Sequence, residues 1–295
     1  MPKKMVKIED TGERLIPELH YQSLTYGEHL ARYKAALGLV KNKVVLDVAS
    51  GAGYGSALLA EQAKKVIGID YDPQAVNYAA SLYKKGNLSF ELANAEALPC
   101  ADQSVDVVVS LETIEHLPHP EKFVQEVIRV LKPKGVFYVS TPNDDEYIEG
   151  NTFHLHEFRF KELHELMQKY FKHTHYYYQG TWYASGVLSE QNFTGNKPHN
   201  VPATKTFGQE THKAIYYLAV ATNSNEVPPL EEMIIASDAF SARNSFIEHQ
   251  KQEKEIHRIR SEISRLDTEL SAILNSRGWK MLKKIYSVKS ILKRS

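Results

Sequence analysis

Residues 43–55 read KVVLDVASGAGYG, and this stretch decides the fold. An apolar run ends at Asp47, and glycines follow at alternate positions, Gly51, Gly53 and Gly55. A plain strand-to-helix turn needs one glycine at most, so three of them mark a backbone that something approaches closely. Working outward, the same rhythm recurs as far as Thr141. Strands are expected at KVVLDVA (43–49), KVIGID (65–70), NLSFELA (87–93), VDVVVSL (105–111) and GVFYVST (135–141). Several are nearly continuous apolar runs rich in valine, the pattern of parallel strands covered on both faces. Helices fill the gaps. In DPQAVNYAASLY, Asp72 caps and Pro73 takes the first helical position. In HPEKFVQEVIRVLKPKG, Phe123, Val127, Val130 and Leu131 share one face, and Pro133 with Gly135 stops the helix. Alternating strand and helix imply right-handed crossovers and an α/β, doubly wound, mostly parallel sheet.

Composition bounds the rest. The chain has 295 residues, 42% of them hydrophobic, with a formal net charge of zero. That is enough for a sizeable core, and it argues against a surface built wholly for nucleic acid. A single cysteine, Cys100, excludes an intrachain disulfide and suits a reducing cytoplasm. No apolar stretch follows the opening lysines, so no signal peptide is expected. No run reaches the ~18 apolar residues of a membrane span. A cytoplasmic protein is the expectation.

Beyond Thr141 the pattern changes. An acidic and aromatic stretch, PNDDEYIEGNTFHLHEFRF (142–160), leads to a helix around 161–170. Two further strands are expected at HTHYYYQ (173–179) and KAIYYLAVAT (213–222), separated by an insertion at 180–212 rich in Gly, Asn, Thr and Pro. NEVPPLEE (225–232) has the composition of a linker. After it, Ile256, Ile259, Ile263, Leu266, Leu270 and Ile273 are spaced as the seam of a coiled coil. They fit self-association, or a helix docked on its own domain. The tail RGWKMLKKIYSVKSILKRS (277–295) is basic and amphipathic, with Trp279 at its start, and suits an anionic membrane surface or a partner protein. The expected organisation is an N-terminal segment over the site (1–26), a central α/β domain (27–224), a linker (225–239), a coiled-coil helix (240–276) and the basic tail (277–295).

The glycine loop admits two ligands. A dinucleotide fingerprint is G-x-G-x-x-G, but here the position it requires is Ser56 and the spacing is G-x-G-x-G. The next strand ends at Asp70, whose carboxylate suits both hydroxyls of a ribose. Gly51 and Gly53 would let an adenosine-linked chain pass the backbone. Asp47 would accept from a cationic ammonium, where a pyrophosphate would be repelled. The chemistry favours S-adenosylmethionine over NAD.

At this point the chain resembles the class I S-adenosylmethionine-dependent methyltransferases, from about Gly27 to Thr222. The blocks VLDVASGAGYG, VIGIDYDPQAV, ANAEALP, VVSLETIEHL and RVLKPKGVFYVSTPN carry the likeness in family order. It implies a Rossmann-like sheet of strand order 3-2-1-4-5-7-6 with a reversed last strand. It also implies that Asp47, Ala49, Gly51 and Gly53 line the methionine moiety and Asp70 the ribose. Tyr71 would flank the adenine, Asn94 and Ala95 would meet its edge, and Leu111 and Glu112 would sit under the sulfonium.

Methyl transfer to an alcohol needs a base, and histidine near neutral pKa suits that role. The candidates are His156 first, then His154 and His116. The E-x-x-E-H of LETIEHL looks similar to that of the small-RNA 2′-O-methyltransferases, which would make Glu112, Glu115, His116 and His156 ligands of a divalent metal. Many methyltransferases carry the same segment without one. TGERLIPELHYQSLTYGEHLARY (11–33), with ETIEHL and NTFHLHEF, resembles bacterial methyltransferases encoded with polysaccharide biosynthesis, and SRGWKMLKKI resembles tails of associated glycosyltransferases. The implied acceptor is a sugar hydroxyl of a glycan or nucleotide sugar. A quinone-type phenol or an RNA 3′ end is the alternative, although the acidic NDDEYIE argues against RNA. A third reading is a coiled-coil scaffold whose methyltransferase domain is inactive. A homo-oligomer through 256–273, and a membrane-peripheral or glycosyltransferase contact through 277–295, complete the expectations.

Overall fold

In a computed structural model of the chain the described residues are 8–10, 14–20, 23–146, 153–156, 158–181, 189 and 210–235, then helical residues 258, 259, 262, 263, 265, 266, 268, 270, 272, 278 and 279. They fall into two compact units, 1–237 and 238–295. Most of the 180–212 insertion and of the basic tail, and Ile256 and Ile273 of the seam, lie outside the described residues.

The first unit opens with helices α1 (Pro17–His20), α2 (Leu24–Ala35) and α3 (Leu37–Val40). Then β1 (Val44–Val48), α4 (Tyr54–Leu59), β2 (Lys65–Asp70), α5 (Pro73–Leu82), β3 (Leu88–Leu92) and β4 (Val105–Leu111) alternate. A 3₁₀ turn at Ile114–His116 follows, then α6 (Pro120–Val130), β5 (Leu131–Pro142), α7 (Phe160–Tyr170), β6 (His173–Gln179) and β7 (Tyr216–Thr222). The strands form one sheet in the order β3-β2-β1-β4-β5-β7-β6. Pairing is parallel from β3 to β5, and β7 runs antiparallel to both neighbours. This is the Rossmann-like sheet expected above, a mixed sheet with β7 reversed between β5 and β6.

The central strands β1, β4, β5 and β7 are largely apolar because both of their faces are covered, while the edge strands β3 and β6 keep polar, exposed positions. Leu46, Val48, Val108, Phe137, Val139, Ala219 and Ala221 pack one way, against Phe123 and Val127 of α6 and Leu163 and Met167 of α7. Their alternates Val45, Val107, Val109, Tyr138, Leu218 and Val220 pack the other way, against Tyr33 of α2, Leu39 and Val40 of α3, and Leu59 of α4. The period-2 alternation of side chains sends neighbours in sequence to opposite cores. α5 starts as its sequence dictates, with Asp72 accepting from the Gln74 N–H at 2.8 Å and Pro73 at the first position.

α4 begins at Tyr54, directly behind Gly53, and takes Gly55 into its first turn. Two boundaries shift. β5 begins at Leu131, ahead of Pro133, because Leu131 pairs with Val105 before an irregularity in the ladder. α6 therefore ends at Val130, before either expected breaker. In the second unit, Ile259, Ile263, Leu266 and Leu270 are each 46–54% exposed on helical backbone. Among the described residues, no helix is long and apolar enough to cross a membrane.

Candidate active site

The C-terminal edge of the sheet gathers the candidate residues. β1 ends in a tight loop with left-handed backbone at Ala49 (φ 57°), Gly51 (φ 54°) and Gly53 (φ 84°). Its glycines have different reasons to be there. A methyl on Gly53 would meet the Ala79 methyl at 2.5 Å and the Phe90 ring at 2.8 Å, so α5 and β3 crowd it. At Gly55 the Tyr33 ring occupies the same position, well inside contact distance. Only Gly51 faces ordinary space, its nearest neighbour being the Arg14 side chain at 3.7 Å. The neighbouring elements thus give Gly53 a packing reason of its own, beside the expected ligand contact, and Gly51 is the open glycine of the loop.

Asp47 also differs from expectation. It is fully buried beneath the loop and accepts from the Ser56 hydroxyl at 2.5 Å and, more weakly, from the Tyr33 hydroxyl at 3.4 Å. Burial pushes its carboxyl up to about 7, against the pull of both hydroxyls. With no surface of its own, it reaches the loop from below through Ser56.

Asp70 at the end of β2 holds the loop to the next helix. One oxygen accepts from the Gly51 N–H at 2.8 Å and the other from the Asp72 N–H at 3.0 Å. Each carboxylate oxygen has a second lone pair, so a diol could still be received. Burial raises its pKa, opposed by those two N–H groups and by the Arg14 charge. Tyr71 stands 80% exposed beside it, an open aromatic face. Asn94 spends its acceptor oxygen on the Glu96 N–H at 2.8 Å, closing a turn, and Ala95 packs against the core.

At the end of β4, Leu111 is buried and Glu112 has left-handed backbone (φ 51°). The Ser140 hydroxyl donates to Glu112 at 2.7 Å. Next to it Glu115 is fully buried. Its Oε2 accepts from the Thr141 hydroxyl at 3.2 Å, and its Oε1 is buried without a partner. Burial first, then the charge of Glu112, push its carboxyl well above the usual range. Segment 153–156 is tied down here, since the N–H groups of Leu155 and His156 both donate to the Glu115 carbonyl, at 2.9 and 3.0 Å. That register brings His154 to His116, ring centres 4.8 Å apart, and sets His156 on the Phe158 ring at 4.3 Å. Ligand atoms of Glu115, His116 and His154 lie within 4.8 Å of one another. Of the expected metal set, Glu115 and His116 are in this cluster, and His154 occupies the place given to His156.

α2 holds none of the site residues expected from the sequence. Its Arg32 is 1% exposed, donates to Gln179 at 2.8 Å and lies 4.2 Å over the Tyr216 ring. Burial works against the Arg32 charge, but Glu112, Tyr216, Glu28 and Tyr138 outweigh it and keep the guanidinium protonated. His29 shares a hydrogen bond with the Tyr54 hydroxyl at 2.9 Å. Burial, then the neighbouring Arg32 charge, hold it well below its ordinary pKa and therefore neutral. The available signal was the i, i+4 spacing of Glu28 and Arg32 in a helix that pairs with residues far along the chain.

A family profile described as a methyltransferase domain matches residues 39–263. The chain belongs to this methyltransferase family. A protein of Mycolicibacterium smegmatis named a probable S-adenosylmethionine-dependent methyltransferase is 39% identical over 163 residues, covering 54% of this chain and 63% of that protein. A similarly named protein of Mycobacterium tuberculosis H37Rv is 38% identical over 162 residues, covering 53% of this chain and 58% of that one. The match thus spans less than two thirds of either relative. The crystal structure of an S-adenosylmethionine-dependent methyltransferase from Aquifex aeolicus is 20% identical, covers 73% of this chain and 98% of its own, and has a TM-score of 0.47.

The cofactor of this methyltransferase is S-adenosylmethionine, which when bound supplies an electrophilic methyl group on a positively charged sulfur. The residues present fit it: at Gly51 a methyl's worth of space is free of backbone, and Asp70 is held by backbone N–H groups at the loop's edge. Asp70 would take the ribose, Tyr71 the adenine face, and Glu112 would favour positive charge near the end of β4.

Proposed function

We propose that this methyltransferase transfers to oxygen, and that its acceptor is a sugar hydroxyl of a glycan or nucleotide sugar. One observation carries the choice of oxygen: His116 Nδ1 lies 3.0 Å from the Phe153 carbonyl oxygen. A carbonyl can only accept, so Nδ1 bears the proton and the neutral ring's basic lone pair is on Nε2. A histidine with a fixed tautomer at the end of β4 suits the removal of a proton from an alcohol. His116 and its neighbour His154 therefore stand before His156. The sugar class is supported by the likeness of segments 11–33 and 151–158 to methyltransferases of polysaccharide synthesis. The test is turnover with labelled cofactor on a panel of nucleotide sugars, oligosaccharides and quinones. His116→Ala should lose roughly 10²- to 10⁴-fold in rate. Near-normal turnover in His116→Ala, His154→Ala and His156→Ala alike would remove the histidine base.

A second reading has its own observation. The orphaned Glu115 Oε1, with two imidazoles in reach, is the donor set of a two-histidine, one-carboxylate cation site. The Phe153 carbonyl would orient His116 from behind. A divalent cation there would lower the pKa of a sugar hydroxyl. Activity lost to chelator and restored by manganese, with binding abolished in Glu115→Gln, would favour it over a free base.

The remaining organisation is proposed on the same footing. Residues 1–26 cover the cofactor loop, 27–224 carry out transfer and 225–239 link. Residues 240–276 self-associate through the seam that includes Ile259, Ile263, Leu266 and Leu270. The basic tail 277–295 meets an anionic membrane surface or a glycosyltransferase.

A further inference from the structure

Residues 14–20 are held on α5 beside the glycine loop, and their fixings are specific. Arg14 pairs with Asp72, the N-cap of α5, through Nη2 at 2.7 Å. One turn on, Glu18 accepts from the Tyr78 hydroxyl of α5 at 2.9 Å. Between them Ile16 is 2% exposed, and its N–H donates to His20 Nδ1 at 3.0 Å. The Arg14 stem is the neighbour nearest to Gly51, the open glycine of the loop. Yet Arg14 is only half used, because its Nη1 is buried without any partner.

A guanidinium presents a fork of donors suited to a carboxylate, and a buried donor left unpaired is costly. The chain keeps that cost beside Gly51, the open glycine of the loop. S-adenosylmethionine carries two cationic groups and one anion, the carboxylate of its methionine end. Asp70 and Asp72 would repel that anion if nothing positive stood between it and them. We propose that Arg14 is the residue that binds the cofactor carboxylate, and that residues 14–20 form a strap held more firmly on α5 when the carboxylate is present. Arg14 then bridges Asp72 on one side and the ligand on the other, so strap docking and cofactor affinity rise together.

The proposal rests on the cofactor assignment, and the test separates the two. Full-length chain is titrated by calorimetry with S-adenosylmethionine and with its decarboxylated analogue, which keeps adenosine, sulfonium and ammonium. Arg14→Met should weaken S-adenosylmethionine about 10- to 100-fold, the range for a hydrogen bond to a charged group, and leave the analogue unchanged. Equal loss for both ligands would make Arg14 a prop for the loop and overturn the proposal, as would no loss. In case Arg14→Met does not fold, limited proteolysis of the unaltered chain gives a second readout. S-adenosylmethionine should protect the strap and the analogue should not, and equal protection overturns the idea. An unaltered chain that binds neither ligand overturns the cofactor assignment together with the proposal.

Discussion

Placing a methyl on Gly53 separates two explanations of the glycine loop. If ligand approach is what demands glycine there, Gly53→Ala should fold normally and bind cofactor poorly. The packing says otherwise. The backbone at φ 84° is left-handed, which costs an alanine roughly 1–2 kcal/mol. The new methyl would also lie 2.5 Å from the Ala79 methyl and 2.8 Å from the Phe90 ring, and overpacking of this kind costs about 1–3 kcal/mol. Ala79 is short and sits on a helix, so it cannot swing aside. The sum is roughly 2–5 kcal/mol, a drop in melting temperature of about 4–20 °C for a domain of this size. Gly51→Ala has the same kind of backbone strain (φ 54°) but no atom closer than 3.7 Å, so it should lose only about 1–2 kcal/mol while weakening the cofactor. Melting followed by circular dichroism, with calorimetry well below the transition, distinguishes the two. Adding Ala79→Gly to Gly53→Ala should recover part of the loss. Equal melting temperatures for the two alanine variants, or a normally stable Gly53→Ala with weak binding, would refute the packing account.

Asp70→Ala should cost S-adenosylmethionine about 10- to 100-fold in affinity and also loosen the loop, because the Gly51 and Asp72 N–H groups lose their acceptor. Unchanged affinity in calorimetry would remove Asp70 from the site. Asp47 binds its proton more tightly folded (about 7) than at its ordinary 3.8. Its contribution to stability is therefore full below about pH 4 and lost as pH rises to 7, on the order of 4 kcal/mol at most. Asp47→Asn should flatten that slope in urea titrations, and an unchanged slope would refute the assignment. Deleting residues 240–295 should leave cofactor affinity intact and lower the oligomeric state; a full-length chain that scatters light as a monomer at micromolar concentration would refute the seam.

Much of the sheet was legible because its central strands are apolar on both faces. β2, β4 and β6 were delimited to the residue, and β1, β3, β5 and β7 came within a few positions. The reversed place of β7 followed from the family likeness, since nothing in KAIYYLAVAT fixes direction. The N-terminal helices were not legible. The side chains that α2 buries include Arg32 and Tyr33, whose partners Gln179, Tyr216 and Asp47 are distant in sequence, so no local apolar pattern announces them. Asp47 and Asn94 were read as facing the ligand; their nearest partners are Ser56 and Glu96, short-range contacts that a motif cannot rank against a ligand. His154 and His156 sit two apart, and side-chain period alone does not say which one meets Glu115. Two backbone hydrogen bonds to the Glu115 carbonyl decide it.

Those polar residues also show where the fold accepts a cost. Among the described residues, six buried side-chain atoms lack a hydrogen-bond partner, and four of them belong to Arg14, Arg32 and Glu115. A buried donor or acceptor left unpaired opposes folding, and scattered instances would be plain defects. Here Arg14 lies against the glycine loop, and the charge of Glu112 acts on both Arg32 and Glu115. The contrast with Asp47 is instructive. That acid is as deeply buried, but two hydroxyls satisfy it, and it serves the loop from beneath. Glu115 has one hydroxyl and one idle oxygen beside two imidazoles. A core chosen for stability alone would replace the idle groups with apolar ones of like volume. Their concentration at one edge of an otherwise well-satisfied sheet is what a site for a charged cofactor and a polar acceptor would require of the chain that builds it.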